Sequence, residues 1–127
     1  MLTSWDQRVR RDGVVLKQVS FKLPPPSPQY IVDRFKEAVT ARTRVIEVTH
    51  ITNLSGQIMP VRELVDFARL ARHRGVCRRR PRLRAVPFKR DDLRCDYYGT
   101  SLHKWLLAPI GTGFSTSVRR SRKRCGR

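Results

Sequence analysis

The sequence predicts an α/β fold with a mostly parallel sheet, because strand-like and helix-like segments alternate along the first half of the chain. The strand-like segments are rich in β-branched residues, and the helix-like segments repeat apolar residues every three or four positions. Such alternation is typical of βαβ units, in which helices join parallel strands. The 127 residues correspond to about one small domain.

The first strand and helix are predicted within the first 39 residues. Residues 13–23 alternate apolar and polar side chains, which predicts a strand. A proline-rich stretch at residues 24–28 then interrupts regular structure. A short amphipathic helix is predicted over residues 30–39, with Ser27 as its N-cap and Pro28 in its first turn.

A second strand and helix follow. Residues 43–48 form a compact apolar run that predicts a buried strand, and residues 49–59 are polar and contain glycine, as loops do. Pro60 is expected to open the next helix, and Gly75 to end it. The apolar face of this helix comprises Val61, Leu64, Val65, Ala68 and Ala71.

The pattern then requires another buried strand, which the local sequence contradicts. Residues 77–84 include five arginines and a proline. Buried charges are costly and proline cannot donate to a sheet, so this composition disfavours a central strand. We therefore expect residues 76–86 to be irregular and to lie outside the sheet.

Regular structure is expected to resume near the end of the chain. Residues 93–99 predict a strand, residues 100–104 a loop, and residues 111–114 a tight turn that enters another strand. The predicted organisation is therefore a partial domain over residues 1–114 and a basic, disordered tail over residues 115–127.

The formal net charge of +18 is concentrated in two places. Residues 78–84 hold five arginines and residues 119–127 hold six Lys or Arg; removing these eleven charges from +18 leaves +7. One interpretation is a small basic protein that binds nucleic acid non-specifically through these segments. However, the arginines lack interleaved aromatic residues and no known nucleic-acid-binding module is present. A salt-sensitive gel shift would support this alternative.

The chain has three cysteines, an odd number without metal-type spacing, so neither a disulfide framework nor a metal site is expected. No apolar run approaches the length of a membrane span, and no signal peptide is recognised. These features predict a cytoplasmic protein.

Three segments carry a resemblance to a known family. Residues 96–104 read DYYGTSLHK, residues 108–113 read APIGTG, and residues 49–56 read THITNLSG. The Ser-x-His-Lys core followed by the Gly-x-Gly turn resembles the cofactor-lysine segment of class V aminotransferases, and the third segment resembles a loop of the same family. Within the family, the sequence is most similar to isopenicillin N epimerase-like proteins.

The resemblance implies a large domain of a pyridoxal 5′-phosphate (PLP) enzyme of fold type I. Lys104 stands at the position of the catalytic lysine that holds PLP as a Schiff base. Ser101 is implied at the cofactor phosphate and His103 near the cofactor. Asn53 is implied at the phenolic oxygen of the ring or at the substrate carboxylate. His50 lies close by without an assigned role.

One essential part of the family pattern is missing. A carboxylate ends a strand in a Val-Asp-Gly-Ala-His-type segment and keeps the pyridine nitrogen protonated. That segment should fall between Gly75 and Pro87. This stretch of the chain contains no Asp, Glu or His. Reading GTC GAC GGC GCC CAC GCC TTC GCG CAC from its third base gives Arg-Arg-Arg-Pro-Arg-Leu-Arg-Ala, the peptide at residues 78–85. We therefore hypothesise a frameshift there, and a similar one after Phe114.

The resemblance also implies a fragment. Met1 is expected to be an internal start, because the family's phosphate-binding N-terminal segment and its small domain have no counterpart here. Family members act on amino acids as epimerases, desulfurases, lyases or aminotransferases, and are usually homodimers. The isolated chain is expected to bind PLP poorly and to have no turnover.

Overall fold

The computed structural model describes residues 2–71, 74–78, 89–103 and 107–117. For Leu2, Arg90 and residues 74–78, it describes the backbone alone. The elements in chain order are α1 (Leu2–Asp12), α2 (Pro28–Ala38), β1 (Val45–Thr49), α3 (Val61–Leu70), β2 (Arg74–Arg78), a 3-10 turn (Arg90–Leu93), β3 (Tyr97–Ser101) and β4 (Gly113–Ser117).

The four strands form one sheet in the order β1-β2-β3-β4. β2 pairs in parallel with β1 on one side and with β3 on the other, whereas β4 is antiparallel to β3. In the register of the parallel strands, Val76 lies between Glu47 and Tyr97. The predicted α/β architecture with a mostly parallel sheet is therefore confirmed.

The core lies between the sheet and the two helices α2 and α3. Helix α3 buries Val61, Leu64, Val65 and Ala68, which are spaced i, i+3, i+4 and i+7. These are four of the five residues predicted for this face; the fifth, Ala71, is the C-cap residue and is only half-buried. Each fully buried aliphatic side chain contributes about 1.5–3 kcal/mol. The residues of the core cluster are Ile31, Val32, Val48, Met59, Val61, Leu64, Val65, Leu93, Cys95 and Tyr98.

The start of α2 also agrees with the prediction. Ser27 has extended backbone angles, and its Oγ accepts a hydrogen bond of 3.1 Å from the Tyr30 N–H. Pro28 occupies the first helical position, where an N–H would have no partner within the helix. Local sequence therefore determines where this helix begins.

The boundaries of α3 differ from the prediction. The helix begins at Val61, with Pro60 as its N-cap residue, and ends at Leu70 with Ala71 as the C-cap. Gly75 does not end the helix, because it lies within β2 opposite Ile46. Gly75 was therefore wrongly predicted as a helix end, and it is a strand residue instead.

The strand predicted over residues 13–23 is wrong. This segment follows the sequence alternation but pairs with no described strand. Side chains of α2 and of the segment itself stabilise it instead: Arg34 Nε donates to the Ser20 carbonyl at 3.3 Å, and Lys17 Nζ donates to the Ala38 carbonyl at 3.1 Å. Phe21 packs against the core. The alternation of apolar and polar residues therefore indicated which side chains are exposed. It did not indicate whether a neighbouring strand pairs with the segment.

Helix α1 was not predicted. Its apolar residues are sparse, but Gly13 follows it with φ +63° and donates its N–H to the Val9 carbonyl at 3.2 Å. This is the left-handed C-terminal cap for which glycine is favoured. The Trp5 indole N–H donates to the Glu47 carboxylate of β1, which attaches α1 to the sheet.

Two further expectations need correction. Residues 76–78 belong to β2 and so are not irregular, while the rest of the 76–86 segment lies outside the described residues. Residues 115–117 belong to β4, so the segment 115–127 is not wholly disordered, and its remainder also lies outside the described part. In both places, pairing with β3 stabilises a strand that the side chains do not indicate.

The predicted strand over residues 93–99 begins later than expected. Arg90–Leu93 form the 3-10 turn, and the strand covers Tyr97–Ser101. Among the described helices, none is long and apolar enough to cross a membrane.

The N-cap of α2 provides a test of this local structure. We expect Ser27→Ala to lower the free energy of unfolding by about 1 kcal/mol, because the Tyr30 N–H loses its acceptor. Urea denaturation followed by circular dichroism measures the change. Ser20→Ala is the matched control, since Ser20 is exposed and its backbone carbonyl is the group that accepts from Arg34. Equal stability of the two variants would contradict the capping role.

Candidate cofactor site

The carboxyl ends of the three parallel strands lie at one edge of the sheet. Residues 50–60 follow β1 and residues 102–112 connect β3 to β4 at this edge. Because one strand separates β1 from β3, the two loops begin about 10 Å apart, twice the usual strand spacing. In open α/β sheets, ligands bind outside the carboxyl ends of the strands. The predicted site residues follow these same strand ends.

The loop after β1 is a compact hairpin closed by backbone hydrogen bonds. The Met59 N–H donates to the His50 carbonyl at 2.8 Å, and the Thr52 N–H donates to the Gln57 carbonyl at 3.0 Å. His50 itself is buried, with 5% of its surface exposed. The hairpin therefore has a fixed base at the sheet edge.

Asn53 lies in the turn at the tip of this hairpin and is exposed. The turn closes through the Gly56 N–H, which donates to the Thr52 carbonyl at 3.1 Å, and Gly56 has the positive φ of +69° that favours glycine. The Thr52 and Ser55 hydroxyls are 2.5 Å apart and stiffen the turn further. The Asn53 side chain is thus presented to solvent on an ordered backbone.

Ser101 and His103 lie at the end of β3. Ser101 is half-buried and pairs with Gly113 of β4. The Leu102 N–H donates to the Thr112 carbonyl at 3.0 Å, and His103 Nδ1 lies 3.3 Å from the same oxygen. Since a carbonyl oxygen only accepts, this contact requires the proton on Nδ1 and leaves Nε2 as an acceptor in the neutral ring.

The turn that positions Thr112 covers residues 109–112 rather than the predicted 111–114, because Gly113 and Phe114 already pair within β4. The Thr112 N–H donates to the Pro109 carbonyl at 3.2 Å, and its hydroxyl donates to the same oxygen at 2.7 Å. Gly111 has φ +87°, as the third position of a type II turn requires. The Ala-Pro-x-Gly-x-Gly-like segment therefore forms a rigid support for His103.

The structure brings the predicted residues to one edge without joining them all. Ser101 and His103 share one strand end, whereas Asn53 lies in the other loop. Among the described residues, no hydrogen bond joins Asn53 to either of them. Lys104, the predicted cofactor lysine, lies outside the described residues.

Two features of this edge were not identified as functional from the sequence. The Thr112 carbonyl orients His103, and only the Gly-x-Gly turn pattern pointed to that position. His50 was given no role, although its burial directly after β1 places an imidazole at the base of the Asn53 hairpin. The position of a backbone carbonyl and the burial of a side chain depend on the fold, so a sequence motif does not reveal them.

The residues present do not fit the ring-nitrogen end of PLP. All ten acidic residues of the chain lie in the described part, and none lies in residues 50–60 or 102–112. Six lie in the three helices, including the exposed Glu63 in the first turn of α3; two lie in the 3-10 turn, one in β1 and one directly before β3 at its amino end. The carboxylate that would protonate the pyridine ring is therefore missing.

Comparison with known proteins identifies the protein family to which the chain belongs. The sequence model of the family Aminotransferase class-V matches residues 2–123. The chain is 36% identical over 116 residues to isopenicillin N epimerase of Amycolatopsis lactamdurans, and 37% identical over 115 residues to that of Streptomyces clavuligerus. Each alignment covers 87% of this chain and 28% of the relative.

A solved structure agrees on the fold. The cysteine desulfurase CsdA of Escherichia coli superposes with a TM-score of 0.75 at 23% identity, over 92% of this chain and 28% of that one. The chain belongs to the class V aminotransferase family, whose members depend on PLP. It spans about 28% of the length of these relatives and so represents a part of their α/β domain.

The junction of β3 and β4 supports Ser101 and His103, and it tolerates no side chain at Gly113. A Cβ there would lie 2.8 Å from the Thr100 carbonyl oxygen. We expect Gly113→Ala to lower the free energy of unfolding by about 1–3 kcal/mol, since backbone must shift. Thermal denaturation measures the loss.

Gly99→Ala is the matched control for this junction. A Cβ at Gly99 meets its nearest atoms at 3.9 and 4.0 Å, which is ordinary contact. A Gly113→Ala variant as stable as Gly99→Ala would show that β4 does not pair with β3 in this register.

Proposed function

We propose that this chain is a partial large domain of a PLP-dependent, class V aminotransferase-like enzyme, in which Lys104 is the lysine that holds the cofactor. The intact enzyme acts on an amino acid, as an epimerase, desulfurase or lyase, and is a cytoplasmic homodimer. The observation that carries this proposal is the anchored end of β3, where the Thr112 carbonyl fixes His103 immediately before Lys104 in sequence.

Each described residue has a role that its placement supports. The hydroxyl of Ser101, at the end of β3, would hold the cofactor phosphate by a charge-assisted hydrogen bond. The imidazole of His103 has a fixed orientation, because its Nδ1–H donates a hydrogen bond to the Thr112 carbonyl. Asn53 is exposed on the neighbouring loop, where its amide would hold the phenolic oxygen of the ring or the substrate carboxylate.

The isolated chain binds PLP weakly and has no turnover in this proposal. PLP withdraws electrons from its substrate efficiently when a protein carboxylate keeps the ring nitrogen protonated. This chain has no acidic residue in the loops where the ring would lie. The chain spans 28% of the length of the two isopenicillin N epimerases, so most of such an enzyme lies outside this chain.

Covalent trapping tests the assignment of Lys104. The purified chain is incubated with excess PLP and reduced with borohydride, and the labelled lysine is identified by peptide mass mapping. We expect the phosphopyridoxyl group on Lys104, with most of the labelling lost in Lys104→Ala. This measurement does not require turnover.

Lys89→Ala is the control for trapping, because Lys89 is an exposed lysine that precedes the 3-10 turn. This variant should retain the label at Lys104. Labelling spread evenly over the surface lysines, and unchanged by Lys104→Ala, would contradict the proposed function.

A further inference from the structure

Thr112 connects the turn at residues 109–112 to the end of β3 through three of its own groups. Its N–H and its hydroxyl both donate to the Pro109 carbonyl, at 3.2 and 2.7 Å. Its carbonyl oxygen accepts from the Leu102 N–H at 3.0 Å and lies 3.3 Å from His103 Nδ1. Thr112 therefore bonds to the turn with its donors and to the candidate site with its acceptor.

The side chain of Thr112 restrains this segment, because both of its chain neighbours are glycines. Gly111 has φ +87°, and a Cβ at Gly113 would lie 2.8 Å from the Thr100 carbonyl oxygen. Neither glycine has a side chain that could hold the backbone, and glycine permits many backbone angles. The hydrogen bond from the Thr112 hydroxyl to the Pro109 carbonyl therefore restricts the direction in which the Thr112 carbonyl points.

The Thr112 carbonyl in turn decides which nitrogen of the His103 ring carries the proton. A carbonyl oxygen only accepts, so the 3.3 Å contact is a hydrogen bond only when the proton is on Nδ1. A neutral imidazole in water favours the proton on Nε2, so this contact reverses the intrinsic preference. The bond that one ring nitrogen makes fixes the state of the other, and Nε2 is left as a hydrogen-bond acceptor.

We propose that Thr112 is a positioning residue, whose hydroxyl holds its own carbonyl against His103 and thereby makes Nε2 of that ring an acceptor at the candidate site. A ligand group that meets the neutral ring there is a hydrogen-bond donor, such as a hydroxyl or an ammonium group. The part that this acceptor takes in cofactor or substrate binding rests on the proposed function. The position of the proton on the ring does not, so the two can fail separately.

The position of this proton can be read by NMR without cofactor or turnover. Two-bond ¹H–¹⁵N correlation spectra of the ¹⁵N-labelled chain at alkaline pH distinguish Nδ1–H from Nε2–H in a neutral imidazole. The variant His103→Gln identifies the signals of His103 by their loss. We expect the Nδ1–H pattern for His103 in the natural chain.

Thr112→Val removes the hydroxyl and keeps the shape of the side chain. We expect its His103 signals to move toward the Nε2–H pattern, because the carbonyl of residue 112 is no longer held against the ring. Thr112→Ser restores the hydroxyl and should return the pattern of the natural chain. A merely structural role of Thr112 would change stability without moving the proton.

Thr116→Val is the matched control, because it makes the same change within β4. The Thr116 hydroxyl is buried and has no hydrogen-bond partner among the described residues. The His103 pattern of this variant should equal that of the natural chain.

An Nε2–H pattern in the natural chain would overturn the inference, and so would equal His103 spectra for Thr112→Val and Thr116→Val. If circular dichroism shows that Thr112→Val does not fold, Thr112→Ala removes the same hydroxyl with less bulk, and an unchanged pattern in that variant has the same meaning. Labelling spread over the surface lysines in the trapping experiment would instead reject the proposed function, while the His103 spectra still decide the role of Thr112.

Discussion

The parallel pairing of β2 with both of its neighbours connects the two halves of this chain. β1 belongs to the part that contains α2, and β3 belongs to the part that leads to the antiparallel strand β4; within the sheet, β2 lies between them. β2 pairs with β1 along its whole length and with β3 from Val76 to Arg78, so the strand forms although it begins and ends with arginine. Helix α3 packs beside it and buries the apolar face that supports the sheet.

The same pairing decides what the site can do. By aligning the carboxyl ends of three strands, it brings the Asn53 hairpin and the Ser101–His103 segment to one edge, which is where α/β proteins bind ligands. It also puts Arg78 between them. The family supplies the expectation of PLP, and no acidic residue of the chain lies in the two loops at this edge.

The motifs were enough to identify the family and to propose Lys104, Ser101, His103 and Asn53, because a lysine motif and a Gly-x-Gly turn have characteristic local spacing. They did not reveal that the Thr112 carbonyl orients His103, or that His50 is buried at the base of its hairpin. Both facts depend on a turn folding back onto a strand end. The alternation in residues 13–23 likewise indicated an extended segment but not its lack of a partner strand.

The sequence by itself determined the local features of this protein: the Ser27 cap, the buried face of α3, the strand β1 and the turn at Gly111. Each depends on side chains or backbone preferences within a few residues. Tertiary structure decided whether an arginine-bounded segment becomes a strand, because backbone pairing from two neighbours stabilises it regardless of its composition. It also decided that Ser115–Ser117 extend the sheet, and that Trp5 attaches α1 to β1 across 42 residues of sequence.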